Sequence, residues 1–150
     1  NARRVSESDF LNRTQRTKPI EGDIVYCREG SVGNAGMIEH ENICLAQRVV
    51  LLRANRKKIL PKYFALVLNS PVMRKQVFSN ISQTTSPRIN IGTLKQLKVP
   101  VPSLEEQQYI VKIIESILEY EENSREFYSV ENVLKTLKSS ILFKAFRGEL

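Results

Sequence analysis

From Leu104 to Arg147 the chain runs without a single glycine or proline, and nothing else in the sequence restricts its fold as strongly. Ser103 followed by Glu106 three residues later forms a capping box, in which each side chain satisfies a backbone N–H that a helix start leaves unpaired. Gly148 stands where a helix would stop. An unbroken helix over this span would be about 60 Å long, more than a small domain needs to cover itself. Ile110, Ile114 and Ile117 make one apolar stripe, and Phe127, Val130, Leu134, Leu137 and Ile141 recur at alternating steps of three and four. Such a seam asks for a partner helix. Between the stripes, Glu119 to Glu126 offers Tyr120 as its one large apolar residue, so the segment either bends there or folds back as a hairpin. A long, nearly continuous helix over 103–150 is the reading adopted.

The charge divides at the same boundary. Residues 1–102 carry 17 Lys and Arg against 7 Asp and Glu, net +10, whereas residues 103–150 are net −3. A polyanion is the natural partner for the basic part, because each phosphate it neutralises releases condensed counterions. The rival reading is a helical oligomerisation or protein-interaction module whose basic head only keeps it soluble. With 150 residues and 41% hydrophobic content the chain suffices for one compact domain and excludes a large multidomain enzyme.

The basic part reads as short strands and helices, an α+β arrangement. Asn1 to Pro19 has no sustained apolar period and is expected to be extended or looped. Ile24 to Arg28 reads as a strand, a turn rich in glycine follows at Gly30, Gly33 and Gly36, and a second strand begins near Met37. Cys44 to Arg53 reads as a third strand. Pro61 opens a helix carrying Tyr63, Phe64, Val67 and Leu68, and Ser70-Pro71 repeats the start signal for another. Asn80 to Ser86 is expected to be a loop, Thr93 to Leu97 a short helix, and Lys98 to Pro102 an edge strand or extended segment, since proline donates no hydrogen bond.

The chemistry available is narrow. His40 is the only histidine and lies in a polar loop; Asp9 and Asp23 are the only aspartates, and neither has acidic neighbours for a metal. Nucleophilic and metal catalysis are not expected. The segment Gly30 to Gly36 lacks both the spacing and the following Lys-Ser/Thr of a phosphate loop. Cys27 and Cys44 have neither metal-ligand spacing nor the density of a disulfide scaffold, so they read as small core residues of a protein in a reducing cytoplasm. No apolar run reaches the ~18 residues of a membrane helix, and Asn1 to Arg4 show no signal pattern.

The order of motifs carries a resemblance. Gly22-Asp23-Ile24-Val25, Arg28-Glu29-Gly30-Ser31-Val32-Gly33, Cys44-Leu45-Ala46-Gln47-Arg48, Pro61-Lys62-Tyr63-Phe64, Asn69-Ser70-Pro71, Ile89-Asn90 and Val99-Pro100-Val101-Pro102-Ser103-Leu104-Glu105-Glu106-Gln107 occur in sequence, and the chain closes on Ala145-Phe146-Arg147-Gly148-Glu149-Leu150. Together they closely resemble the DNA specificity (S) subunits of type I restriction-modification enzymes. The proline-rich segment leading into the Leu-Glu-Glu-Gln helix start is the most specific element. Gln83-Thr84-Thr85 departs from the pattern, standing where members often have a glycine-containing turn.

This resemblance implies a target-recognition domain over 1–102 and a conserved helical spacer over 103–150. In the family two such units usually lie in tandem, with their helices paired as an antiparallel coiled coil that sets the distance between two DNA half-sites. Modification subunits bring S-adenosylmethionine and base-flipping chemistry, and restriction subunits use ATP; the S subunit has no catalytic residues and no cofactor of its own. The expected partners are therefore double-stranded DNA, those two subunits, and a second helix from another S unit or another copy. At most one unit is present, so the front part of the recognition domain is expected upstream of Asn1. Arg13, Arg16, Lys18, Gln83, Thr85, Ser86 and Arg88 are the candidate DNA-facing residues: the cations for phosphates or guanine edges, and the amide and hydroxyls for base edges, directly or through water. Ile114, Ile117, Phe127, Val130, Leu134, Leu137 and Ile141 are the candidate helix-pairing face.

Overall fold

The computed structural model describes residues 4–81 and 87–121. By contact density the chain divides into two units, Asn1–Val111 and Lys112–Leu150. In the first, helix α1 (Glu7–Thr14) precedes three strands, β1 (Ile24–Cys27), β2 (Ala35–Met37) and β3 (Val49–Leu52). Helices α2 (Pro61–Leu68), α3 (Pro71–Phe78) and the short α4 (Ile91–Leu94) follow, and α5 occupies residues 104–121. The strands form an antiparallel sheet with β1 in the centre, flanked by β2 and β3, which gives the α+β class.

Alternation along β1 sends Ile24 and Tyr26 to the core, where Tyr63, Val67, Met73, Val77 and Ile89 enclose them. α2 is fastened to the sheet by Asn69, whose Oδ1 accepts from Ala35 N at 3.1 Å while Nδ2 donates to Ala35 O at 2.8 Å. This amide behaves as an extra strand residue on β2 and also caps α2 through Ala65 O. α3 starts as expected: Ser70 Oγ accepts the Met73 N–H, and Pro71 occupies the first turn, where its missing N–H costs nothing.

Four segments differ from expectation. The second strand is Ala35–Met37 and ends where it was expected to begin, with Gly36 inside it. Residues 7–14 are helical, not extended. Ser6 Oγ accepts Asp9 N at 3.2 Å, Glu7 and Asp9 lie at the positive end and Arg13 in the last turn, so local capping and charge support a helix that buries no residue. A helix with no buried face leaves no apolar period to find. The third strand is only Val49–Leu52, because β1 ends at Cys27, opposite Val49, and gives Cys44 to Gln47 nothing to pair with. Cys44 is thus half-buried in a loop. The short helix begins at Ile91, two residues ahead of Thr93.

Lys98 to Pro102 forms no strand, and side chains meet its backbone instead. Gln76 Nε2 donates to Lys98 O at 2.9 Å and its Oε1 accepts Lys98 N at 3.0 Å; Tyr63 Oη donates to Pro100 O at 3.0 Å. Gln107 Nε2 donates to Pro102 O at 2.8 Å. Proline carbonyls without a ladder are in this way all satisfied. The capping box forms in full: Glu106 N donates to Ser103 Oγ at 3.3 Å, and Glu106 Oε2 accepts from Ser103 N at 2.9 Å and Ser103 Oγ at 2.7 Å. Val111 and Gln107 of α5 are buried in the first unit. Residues 122–150, where the helix is expected to continue, and residues 82–86, where a loop is expected, lie outside the described residues.

Candidate nucleic-acid interface

The two ends of β1 are built differently. At its start, Asp23 is 1% exposed and receives a bidentate pair from Arg53, Nε to Oδ1 at 2.8 Å and Nη2 to Oδ2 at 2.7 Å. Oδ2 also accepts Ile20 N at 3.0 Å. The Arg53 hydrogen bonds hold this carboxyl below its usual range in spite of burial, which acts the other way. Arg53 Nη2 donates further to Lys18 O at 3.0 Å, and Arg56 Nη2 to Glu21 O at 2.8 Å. These cations close the fold on itself.

At the other end, about 17 Å away at ~3.4 Å per residue, β1 changes partners. Arg28 N donates to Arg48 O at 3.0 Å, continuing the β3 ladder, but Arg28 O accepts from Ile89 N at 3.0 Å, and Gly30 N donates to Pro87 O at 3.2 Å. Glu29 and Arg88 thus face each other across an antiparallel bridge. This exchange of partner at one residue brings Arg28 and Arg88 to a single carboxylate, with Arg48 joined to Arg28 through the main chain. Glu29 Oε1 lies 3.2 Å from Arg88 Nε and 3.4 Å from Arg28 Nη2. Side-chain exposure rises outward, from 17% at Arg28 and 26% at Glu29 to 55% at Arg88, and Arg48 is exposed. Gly30 and Gly33 turn the chain at this end with φ of 75° and 93°, the left-handed region in which a Cβ is unfavourable.

Of the residues expected to face DNA, Arg88 belongs to this cluster. Arg13 lines an open groove of about 1020 Å³ between α1 and residues 42–46, and Arg16 is exposed just after α1. Lys18 is exposed too, but its carbonyl ties it to the Asp23 end of the sheet. The expected set is therefore not brought together at one place by the described residues. Gln83, Thr85 and Ser86 lie outside them. Sequence reasoning overlooked Arg28 and Arg48, and the available signal was their position at the end of one strand and just before another. On α5, Ile117 is exposed and Ile114 half-buried, with Ile113, Leu118 and Tyr120 also exposed; Phe127, Val130, Leu134, Leu137 and Ile141 fall outside the described residues.

No group of three or more potential metal ligands occurs among the described residues. Nor is any described helix long and apolar enough to cross a membrane.

Comparison with known proteins agrees with this architecture. Residues 2–126 match the type I restriction modification DNA specificity domain. The chain is similar to the type I restriction enzyme EcoBI specificity subunit of Escherichia coli, with 33% identity across 99% of the chain and 31% of that subunit. It is also similar to the EcoKI specificity subunit of Escherichia coli strain K12, with 31% identity across 97% of the chain and 32% of that subunit. Among solved structures, the HsdS subunit from Thermoanaerobacter tengcongensis shares the fold at a TM-score of 0.64 and 19% identity, over 85% of this chain and 33% of that one. The S subunit from M. genitalium does so at a TM-score of 0.57 and 19% identity, over 88% of this chain and 34% of that one. The chain spans about a third of the length of the relatives it matches. With the match running through sheet, helices and the start of α5, the chain belongs to the type I restriction modification DNA specificity domain family.

Proposed function

We propose that this chain is one target-recognition unit of a type I specificity subunit and binds duplex DNA through the arginine-bearing end of its sheet. The observation that carries the reading is the pairing of Arg28 and Arg88 with one carboxylate where β1 exchanges partners, with the exposed Arg48 next to Arg28 on the ladder. Three arginines and one Glu at this end of the strand leave an excess of positive charge at an exposed edge, which suits a polyanion that also presents hydrogen-bond acceptors. Residues 1–102 form the recognition part and residues 103–150 the spacer. Arg13, Arg16, Lys18, Gln83, Thr85 and Ser86 extend the contact to the backbone and groove. The apolar positions of 103–150, from Ile114 to Ile141, pair with a helix of a second unit. Methyl transfer and cleavage belong to modification and restriction subunits acting in the cytoplasm, and this chain supplies recognition without catalytic groups.

The test is duplex binding by the specificity subunit that carries this chain, assembled with its modification subunit, across about 50 to 200 mM salt. The logarithm of the binding constant should fall linearly with that of salt, by ~0.9 per phosphate neutralised. Absence of binding at low salt would overturn the reading. For the spacer, Leu134→Asp with Leu137→Asp should break assembly on sedimentation, and an unchanged assembly would remove the pairing face.

A further inference from the structure

We infer that Arg88, held by Glu29, reads a guanine edge in the major groove and does not serve as a phosphate clamp; this deepens the DNA-binding reading above and rests on it. The main chain at Arg88 is fixed on both sides. Pro87 O and Ile89 N are bonded to Gly30 and Arg28, and the Ile89 side chain is buried in the core. The guanidinium is fixed as well, since Nε lies 3.2 Å from Glu29 Oε1, and Glu29 is itself steadied by the more buried Arg28.

A guanidinium has five N–H donors in one plane. Engaging Nε at its inner edge leaves the outward donors of the two terminal nitrogens, parallel and side by side. Guanine offers O6 and N7 as paired acceptors in the major groove, a match for that fork. A phosphate would accept the same donors, but it would also face Glu29. That carboxylate cancels one of the two inner charges and repels an anion, whereas a base edge has no formal charge to be repelled. The carboxylate therefore penalises the phosphate and spares the guanine. It also removes rotamer freedom from Arg88 before DNA arrives, which lowers the ordering cost on binding.

The experiment is selection from a pool of randomised duplexes by the specificity subunit assembled with its modification subunit, comparing the unaltered protein with Arg88→Ala, Arg88→Lys and Glu29→Gln. The unaltered protein should select a sequence containing a G·C pair that Arg88→Ala no longer prefers, with discrimination there falling roughly tenfold to a hundredfold. Salt dependence should not change. Arg88→Lys keeps the charge but not the fork and should lose the same preference, while Glu29→Gln should weaken it at the same position. Uniform weakening on all duplexes with a salt slope lower by about 1 marks a phosphate contact and overturns the inference. Retained preference in Arg88→Lys overturns it equally, and that variant controls for misfolding of the alanine form. If the unaltered protein selects no sequence at all, the recognition reading itself fails, a result distinct from either.

Discussion

The side-chain oxygen Oε1 of Gln107 accepts the main-chain N–H of Leu60 at 2.8 Å, joining the second turn of α5 to the start of α2. Leu60 is the N-cap of α2 and no side chain of α2 caps it, so the amide of another helix fixes this entry point. Nε2 completes the arrangement by donating to Lys58 O at 2.9 Å and Pro102 O at 2.8 Å. Gln107 is fully buried, with its amide oxygen and both N–H donors engaged. Gln107→Ala should lower stability by about 3 kcal/mol in urea denaturation, because three backbone groups lose their partner together. A change below about 0.5 kcal/mol would show that water replaces the amide there.

Breaking the Asp23–Arg53 pair should be asymmetric. Arg53→Ala strands a buried carboxylate and should cost about 3 kcal/mol, whereas Asp23→Asn leaves a half-exposed guanidinium that water can serve and should cost less. Arg53→Lys should not restore the loss, since one ammonium cannot occupy both carboxylate oxygens in the geometry of the fork. Denaturation of the three variants side by side gives the ranking.

Acid should weaken the fold through the same carboxyl. Hydrogen bonds from Arg53 hold Asp23 below the usual carboxylate range, and those from Ser103 do the same for Glu106. A folded-state value below the unfolded one means the contribution is complete above about pH 5 and is lost as pH falls through the depressed folded values. Stability measured at about pH 5, 4 and 3 should therefore decline, and Asp23→Asn should flatten the decline.

Tyr26 supplies the opposite case. Its ring is fully buried, its hydroxyl has no hydrogen-bond partner among the described residues, and burial pushes its pKa above the phenol's ordinary value. Tyr26→Phe removes an unsatisfied polar atom without altering the packing, so thermal melting should show equal or higher stability, by up to about 1 kcal/mol. A loss larger than that would reveal a partner for the hydroxyl.

How much could be read beforehand depended on the distance over which each signal acts. Ser103 with Glu106, Ser70 with Pro71, and Pro61 announce helix starts because each satisfies its own neighbourhood. α1 escaped because it buries nothing and so has no period, although Ser6 and Asp9 carried the capping signal. Of the charged cluster at the end of β1, only Arg88 was singled out from the sequence. Its partner Glu29 lies far back in the chain, as Asp23 does from Arg53, and no local pattern marks a pair that only the completed sheet brings together. The glutamine ending the Leu104-Glu105-Glu106-Gln107 motif was visible as part of a resemblance, but its work as a three-way backbone clamp needed the fold.

The contrast between the two ends of β1 bears on how such a domain changes over generations. At the Asp23 end, side chains are committed to holding the chain, so altering one is answered by a loss of stability. At the Arg28 end, the partner exchange is made by main-chain atoms, of which only the N–H donors at Arg28, Gly30 and Ile89 exclude proline, and the outermost side chains stand in solvent. Replacing Arg48 or Arg88 therefore leaves the ladder and the core intact. A scaffold of this kind can change what its exposed edge presents without passing through an unfolded ancestor.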